Sequence, residues 1–159
     1  METMASPLES NPTLLAIRKG TVDGANLRTF ILAGDSIFTV ENEATGGRFT
    51  FKVSRADGEN PDRPWFVGLL AGPDNTSDYR YMGCIFEGAK YVITRKSWIA
   101  PDSPSQKAFM WLWLRVASAA PLPSSVKVYH MGRCGRCGRP LTVPESIRTG
   151  LGPVCAGKV

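Results

Sequence analysis

The sequence predicts an α+β fold: an antiparallel β meander of about five strands packed on one buried helix, followed by a small C-terminal lobe. Three observations predict it. Over Arg48–Val53, apolar Phe49, Phe51 and Val53 alternate with polar residues, the period of a half-buried strand. Apolar runs of strand length recur between short turns rich in Gly, Pro and Asp. One longer run, Lys107–Ala119, contains neither Gly nor Pro and reads as a helix.

Residues 1–27 read as a flexible N-terminal arm, punctuated by Ser, Asn, Pro and Gly, with Leu14, Leu15 and Ile17 available to dock back. The α+β body is expected over 28–120. Its pattern is β-like from about residue 28, where Phe30-Ile31-Leu32 precedes a Gly-Asp turn. Ile37–Val40 and Arg48–Val53 flank the turn Glu41–Gly47, so the two runs read as a hairpin. Ala56–Pro64 is an exposed loop, and Trp65–Leu70 a more fully buried strand. A second loop, Gly72–Asp78, leads to the strand Tyr79–Phe86, a turn at Glu87–Lys90, and the strand Tyr91–Thr94.

Ser103, Pro104 and Gln106 then announce a helix. Ser103 can cap, Pro104 suits the first helical position, and Gln106 completes a capping box. Pro121 stops the run. The apolar stretch Phe109–Leu114 is also compatible with a strand; length and capping favour the helix. It is apolar on most sides, so it should lie deep against the sheet with Trp111 and Trp113 in the core. Residues 121–125 form a stiff linker, and Val126–Tyr129 a short strand that delivers His130 to the C-terminal lobe, 126–159.

A length of 159 residues suits one compact domain with a small appendage, and 43% hydrophobic against 21% charged residues marks a globular chain. There is no run of 18 apolar residues to cross a membrane. The N-terminus has no basic segment before its short apolar run, so no signal peptide is expected and a cytoplasmic setting is. The formal charge is +5. Lys127, Arg133, Arg136, Arg139, Arg148 and Lys158, opposed by Glu145 alone, place that whole excess on the lobe.

Three of the four cysteines and the sole histidine fall in this lobe, spaced His130-x₃-Cys134-x₂-Cys137-x₁₇-Cys155. Zn²⁺ takes four nitrogen or sulfur ligands tetrahedrally, and the stretch offers four. A C-x-x-C turns two thiolates toward one ion, and Gly135 and Gly138 supply the freedom such a turn needs. A redox C-x-x-C normally opens a helix in a βαβ context that this pattern lacks. Two disulfides would have to draw on distant Cys84, which reads as a small buried hydrophobe. Thr142–Glu145 resembles a second capping box, starting a helix of under two turns that Gly150 ends. Leu141, Ile147 and Leu151 form only a minimal core, so zinc would supply the stabilisation, about 10–16 kcal/mol in isolated finger peptides.

The string His130-Met-Gly-Arg-Cys134-Gly-Arg-Cys137-Gly-Arg-Pro-Leu-Thr-Val-Pro-Glu-Ser-Ile147, continued by Gly150-Leu-Gly-Pro-Val-Cys155, resembles the C-terminal finger of a family of unknown function. Its members are small proteins encoded by proteobacterial bacteriophages and plasmids. The upstream words Arg48–Val53 and Gly72–Tyr79 resemble its longer members. The resemblance implies a mobile-element accessory protein of the bacterial cytoplasm; it gives no catalytic residues, since the family has no assigned activity.

Arg133, Arg136 and Arg139 interleave with the cysteines, and with Lys127 and Arg148 they are candidate phosphate contacts. The arginines could equally hydrogen-bond the thiolates or keep the lobe soluble. Trp65, Phe66, Tyr79 and Tyr81 alternate with polar residues, as a stacking platform for single strands would, but an ordinary β core is the preferred reading. Asp74, Asn75 and Asp78 lack the glycine and glutamate of a calcium loop and read as a polar turn. With its one His assigned to a closed zinc set, the chain is expected to be non-enzymatic. Two function classes survive: a protein associating with nucleic acid without sequence specificity, and a module binding a host protein, such as an inhibitor or adaptor. No membrane partner is expected.

Overall fold

Alternation over Asp35–Ser54 organises the sheet. In the computed structural model, which describes residues 22, 24–55, 62–74, 77–138 and 149–152, strands β1 (Asp35–Asn42) and β2 (Gly47–Ser54) pair antiparallel, with Phe38 opposite Phe51. The chain continues through β3 (Trp65–Leu70), β4 (Tyr79–Phe86) and β5 (Lys90–Val92), each antiparallel to the one before. Helix α2 (Pro104–Ala117) then crosses one face, and β6 (Val126–His130) returns antiparallel beside β1. The six-stranded sheet has the order β5-β4-β3-β2-β1-β6. A meander of five strands is therefore present, and the strand assigned to the lobe is a sixth member of the same sheet.

Helix α1 (Leu27–Ile31) replaces the expected extended run at Phe30–Leu32. Its buried residues Leu27, Phe30 and Ile31 sit at helical spacing, which so short an apolar run does not reveal beforehand. Both helices cover the same face of the sheet. There Phe38, Phe51, Val53, Val67, Met82 and Ile85 meet Phe109, Leu112 and Trp113 in one core.

Helix α2 starts where its cap predicts: Ser103 Oγ accepts the Gln106 N–H at 3.3 Å, and Pro104 is the first helical residue. The reciprocal half of the capping box is not made. The Gln106 side chain is buried and donates to the carbonyls of Met82 and Ile99 while accepting the Tyr91 hydroxyl. The expected burial of Trp111 also fails. Trp113 is buried, with its indole N–H on the Ala89 carbonyl, whereas Trp111, Met110 and the 68% exposed Leu114 face outward. The run was apolar all round in sequence, yet one helix on one sheet buries only one of its faces.

No described element covers the other face of the sheet. Phe66 there is 46% exposed, and Tyr79 and Tyr81 are half-buried, so the core reading of these three rings is corrected. Trp65 points the other way, packs on the core, and donates its indole N–H to the Leu32 carbonyl. Cys84 is buried, as expected. No helix among the described residues is long and apolar enough to cross a membrane.

Candidate metal centre and nucleic-acid interface

Strand β6 turns Val126, Val128 and His130 inward, which seats the only histidine at the core boundary. His130 pairs with Phe38 across the strands, and its ring lies 6.2 Å from that of Phe30. His130 Nδ1 accepts the Gly132 N–H at 2.8 Å. With that lone pair engaged, a neutral ring carries its proton on Nε2. Ligation of a metal through either nitrogen therefore requires this hydrogen bond to change.

The following turn is built around Cys134. Gly138 N–H closes it on the Cys134 carbonyl at 3.0 Å, with Gly138 at φ +76, a conformation glycine adopts freely. The Cys134 side chain is buried and Cys137 is exposed. Burial raises the Cys134 thiol. The backbone N–H groups of Cys137, Gly152 and Arg136 and the Cys137 side chain outweigh burial and bring it down to about 7. The Arg136 N–H lies 3.4 Å from Sγ. Donors converging on one sulfur favour the thiolate, the form in which cysteine binds metal.

This turn is fastened to the body. Gly135 accepts the Asp35 N–H through its carbonyl and donates its own N–H to the Gly150 carbonyl, both at 2.8 Å. Gly135 and Gly150 both lie on the Phe30 ring, where any side chain would collide. Gly150 has φ +74, the helix-ending conformation its position suggests, and Leu151 is buried as the expected minimal core requires.

The candidate residues are thus distributed unevenly. Cys134 and Cys137 share one turn, but no group of three His, Cys, Asp or Glu side chains placed to hold a metal occurs among the described residues. Cys155, Arg139, Arg148, and the expected short helix before Thr149 lie outside the described residues. Arg133 and Arg136 are exposed, and Arg133 uses one donor on the Gly138 carbonyl at 3.3 Å. Lys127 points to the open face of the sheet, directly across from Glu41. The opposing Glu41 moderates the local charge, a pairing visible only once the β1–β6 register is known.

The donor chemistry at Cys134 fits Zn²⁺, with Cys137 alongside, whereas His130 needs its Gly132 bond rearranged. The site and fold together define an α+β protein with a cysteine turn docked on its sheet. The model of DUF6011, a family of unknown function, matches residues 127–159, the last strand but for one residue and everything after it. No curated protein and no solved structure matches the chain.

Proposed function

We propose that this chain is a non-enzymatic accessory protein of bacteriophage or plasmid type that associates with nucleic acid through a zinc-bound, basic C-terminal turn. Zn²⁺ would be held by His130, Cys134, Cys137 and Cys155, and would hold the turn in shape. The observation that supports this most is the Cys134 thiol, brought down to about 7 by backbone N–H donors despite its burial. The arginines on that turn, Arg133 and Arg136, are exposed and can meet phosphates, with Arg139, Lys127 and Arg148 adding to the field. Contacts of this kind position a nucleic acid without reading its sequence. The working setting is the cytoplasm of a bacterial host.

Elemental analysis of purified protein tests the metal. One zinc per chain is expected, retained in Cys84→Ser and lost in Cys134→Ser. Zinc-free wild type, or full occupancy in Cys134→Ser, contradicts the assignment.

A second reading rests on helix α2, whose outer face exposes Met110, Trp111 and Leu114. Such an apolar surface suits docking to a host protein, with the metal serving only as a staple. Stoichiometric co-purification of a host protein, abolished by Leu114→Glu, would support this reading over the first.

A further inference from the structure

The open face of the sheet carries a groove of about 270 Å³ whose lining includes Lys52, Ser54, Phe66, Gly68, Tyr79 and Tyr81. Strand register arranges these residues in rows. Lys52, Gly68 and Tyr81 lie side by side across β2, β3 and β4, and Ser54, Phe66 and Cys84 form the next row. Gly68 leaves the first row open at its centre; a Cβ there would stand 3.1 Å from Tyr79 Cβ. A register shift between Val67 and Gly68, with Met82 as the extra residue on β4, brings Tyr81 rather than Met82 onto this face.

The walls are aromatic. Tyr81 is anchored through its hydroxyl, 2.9 Å from Cys84 Sγ and 2.8 Å from Thr94 Oγ1. The Phe66 ring lies edge-on to it at 6.1 Å, with 46% of the residue exposed. The Lys52 ammonium lies over the Tyr79 ring at 5.7 Å and 3.7 Å from Asp35, a partly exposed ion pair that a phosphate can displace. The groove falls below the usual size of a drug-sized ligand site and suits one planar ring system.

Its position ties it to the basic turn. Asp35 donates its N–H to Gly135, pairs with Ser54, and Ser54 pairs with Phe66. Two strand spacings, about 9.5 Å, thus separate β1, which meets the turn at Asp35, from the strand that carries Phe66.

We propose that this groove stacks an unpaired nucleobase on Phe66 and Tyr81, with a flanking phosphate reaching Lys52, so that the protein prefers single-stranded nucleic acid to duplex. The proposal rests on the nucleic-acid reading above and specifies its ligand. A duplex hides its base faces and cannot use the groove, whereas every unpaired base offers a π face regardless of sequence. The Tyr81 ring is already held through its hydroxyl, which lowers the ordering that binding requires.

The test titrates full-length protein with labelled oligothymidylate, a duplex of equal length, and an abasic oligonucleotide of equal length. The oligothymidylate should bind about tenfold or more tighter than the other two. Phe66→Ala should weaken it by about 5- to 150-fold, the loss of one stacked base, and leave the salt slope unchanged because stacking carries no charge. Arg133→Gln should instead flatten the slope. If oligothymidylate binds but the abasic strand and Phe66→Ala match it, the stacking groove is wrong and the phosphate-binding reading stands. Because the abasic comparison uses unaltered protein, it decides the matter even if Phe66→Ala fails to fold. If no nucleic acid binds at low salt, the phosphate-binding reading falls and the groove proposal with it.

Discussion

Gly135 passes so close to Phe30 that a Cβ on it would stand 2.8 Å from Cδ1 and Cε1 of the ring. Phe30 is wholly buried and also contacts the rings of Phe38 and His130. One side chain from α1 thus supports the cysteine turn and the edge of the sheet together. Gly135→Ala should overpack this junction and cost about 1–3 kcal/mol of global stability. Phe30→Ala should cost about 3–5 kcal/mol. Because the ring is what the new methyl strikes, the double variant should lose less than the two single losses combined. Urea midpoints measure all three; strict additivity would show that the turn is not seated on Phe30.

Cys134 makes stability depend on pH. Its thiol is brought from an ordinary 9.0 down to about 7 in the folded chain, so the folded state binds fewer protons between those values. Folding of chelator-treated protein should strengthen as pH rises from about 7 to 9, and this contribution should vanish as pH falls through 7. Cys134→Ser should remove the rise. Urea midpoints across that range check the prediction, and an undiminished rise in the variant would refute it.

Gln106 ties α2 to the sheet. Its amide donates to the Met82 carbonyl at 3.1 Å and the Ile99 carbonyl at 3.3 Å, and it accepts the Tyr91 hydroxyl at 2.6 Å. Burial pushes the Tyr91 hydroxyl well above its usual value, so it remains a donor at any ordinary pH. Gln106→Leu keeps the bulk but strands these groups, and should cost about 2–4 kcal/mol. A thermal-unfolding midpoint equal to wild type would mean the network contributes nothing.

The meander and the start of α2 were legible because each rests on a local signal: alternation at Phe49, Phe51 and Val53, and the Ser103-Pro104 cap. Leu27–Ile31 was misread because three apolar residues in a row satisfy a strand as readily as a helical turn. Gln106 fits a capping box in sequence, and only the fold shows that its amide has better partners in the core. Phe66 and Tyr81 look like core residues until the sheet is seen to carry helices on one side. At the candidate centre, Cys134 and Cys137 could be paired from their spacing. The hold of Phe30 on Gly135 and Gly150, more than a hundred residues away in sequence, could not.

If the C-terminal turn meets phosphates, binding must weaken with salt. With about three to five phosphates engaged on a random-sequence single strand, log affinity should fall against log salt with a slope of roughly −2 to −3.5. Replacing Arg133, Arg136 and Arg139 with glutamine should flatten that slope by about 2 and leave the zinc content unchanged. A slope near zero, or one the triple replacement leaves intact, would contradict the claim.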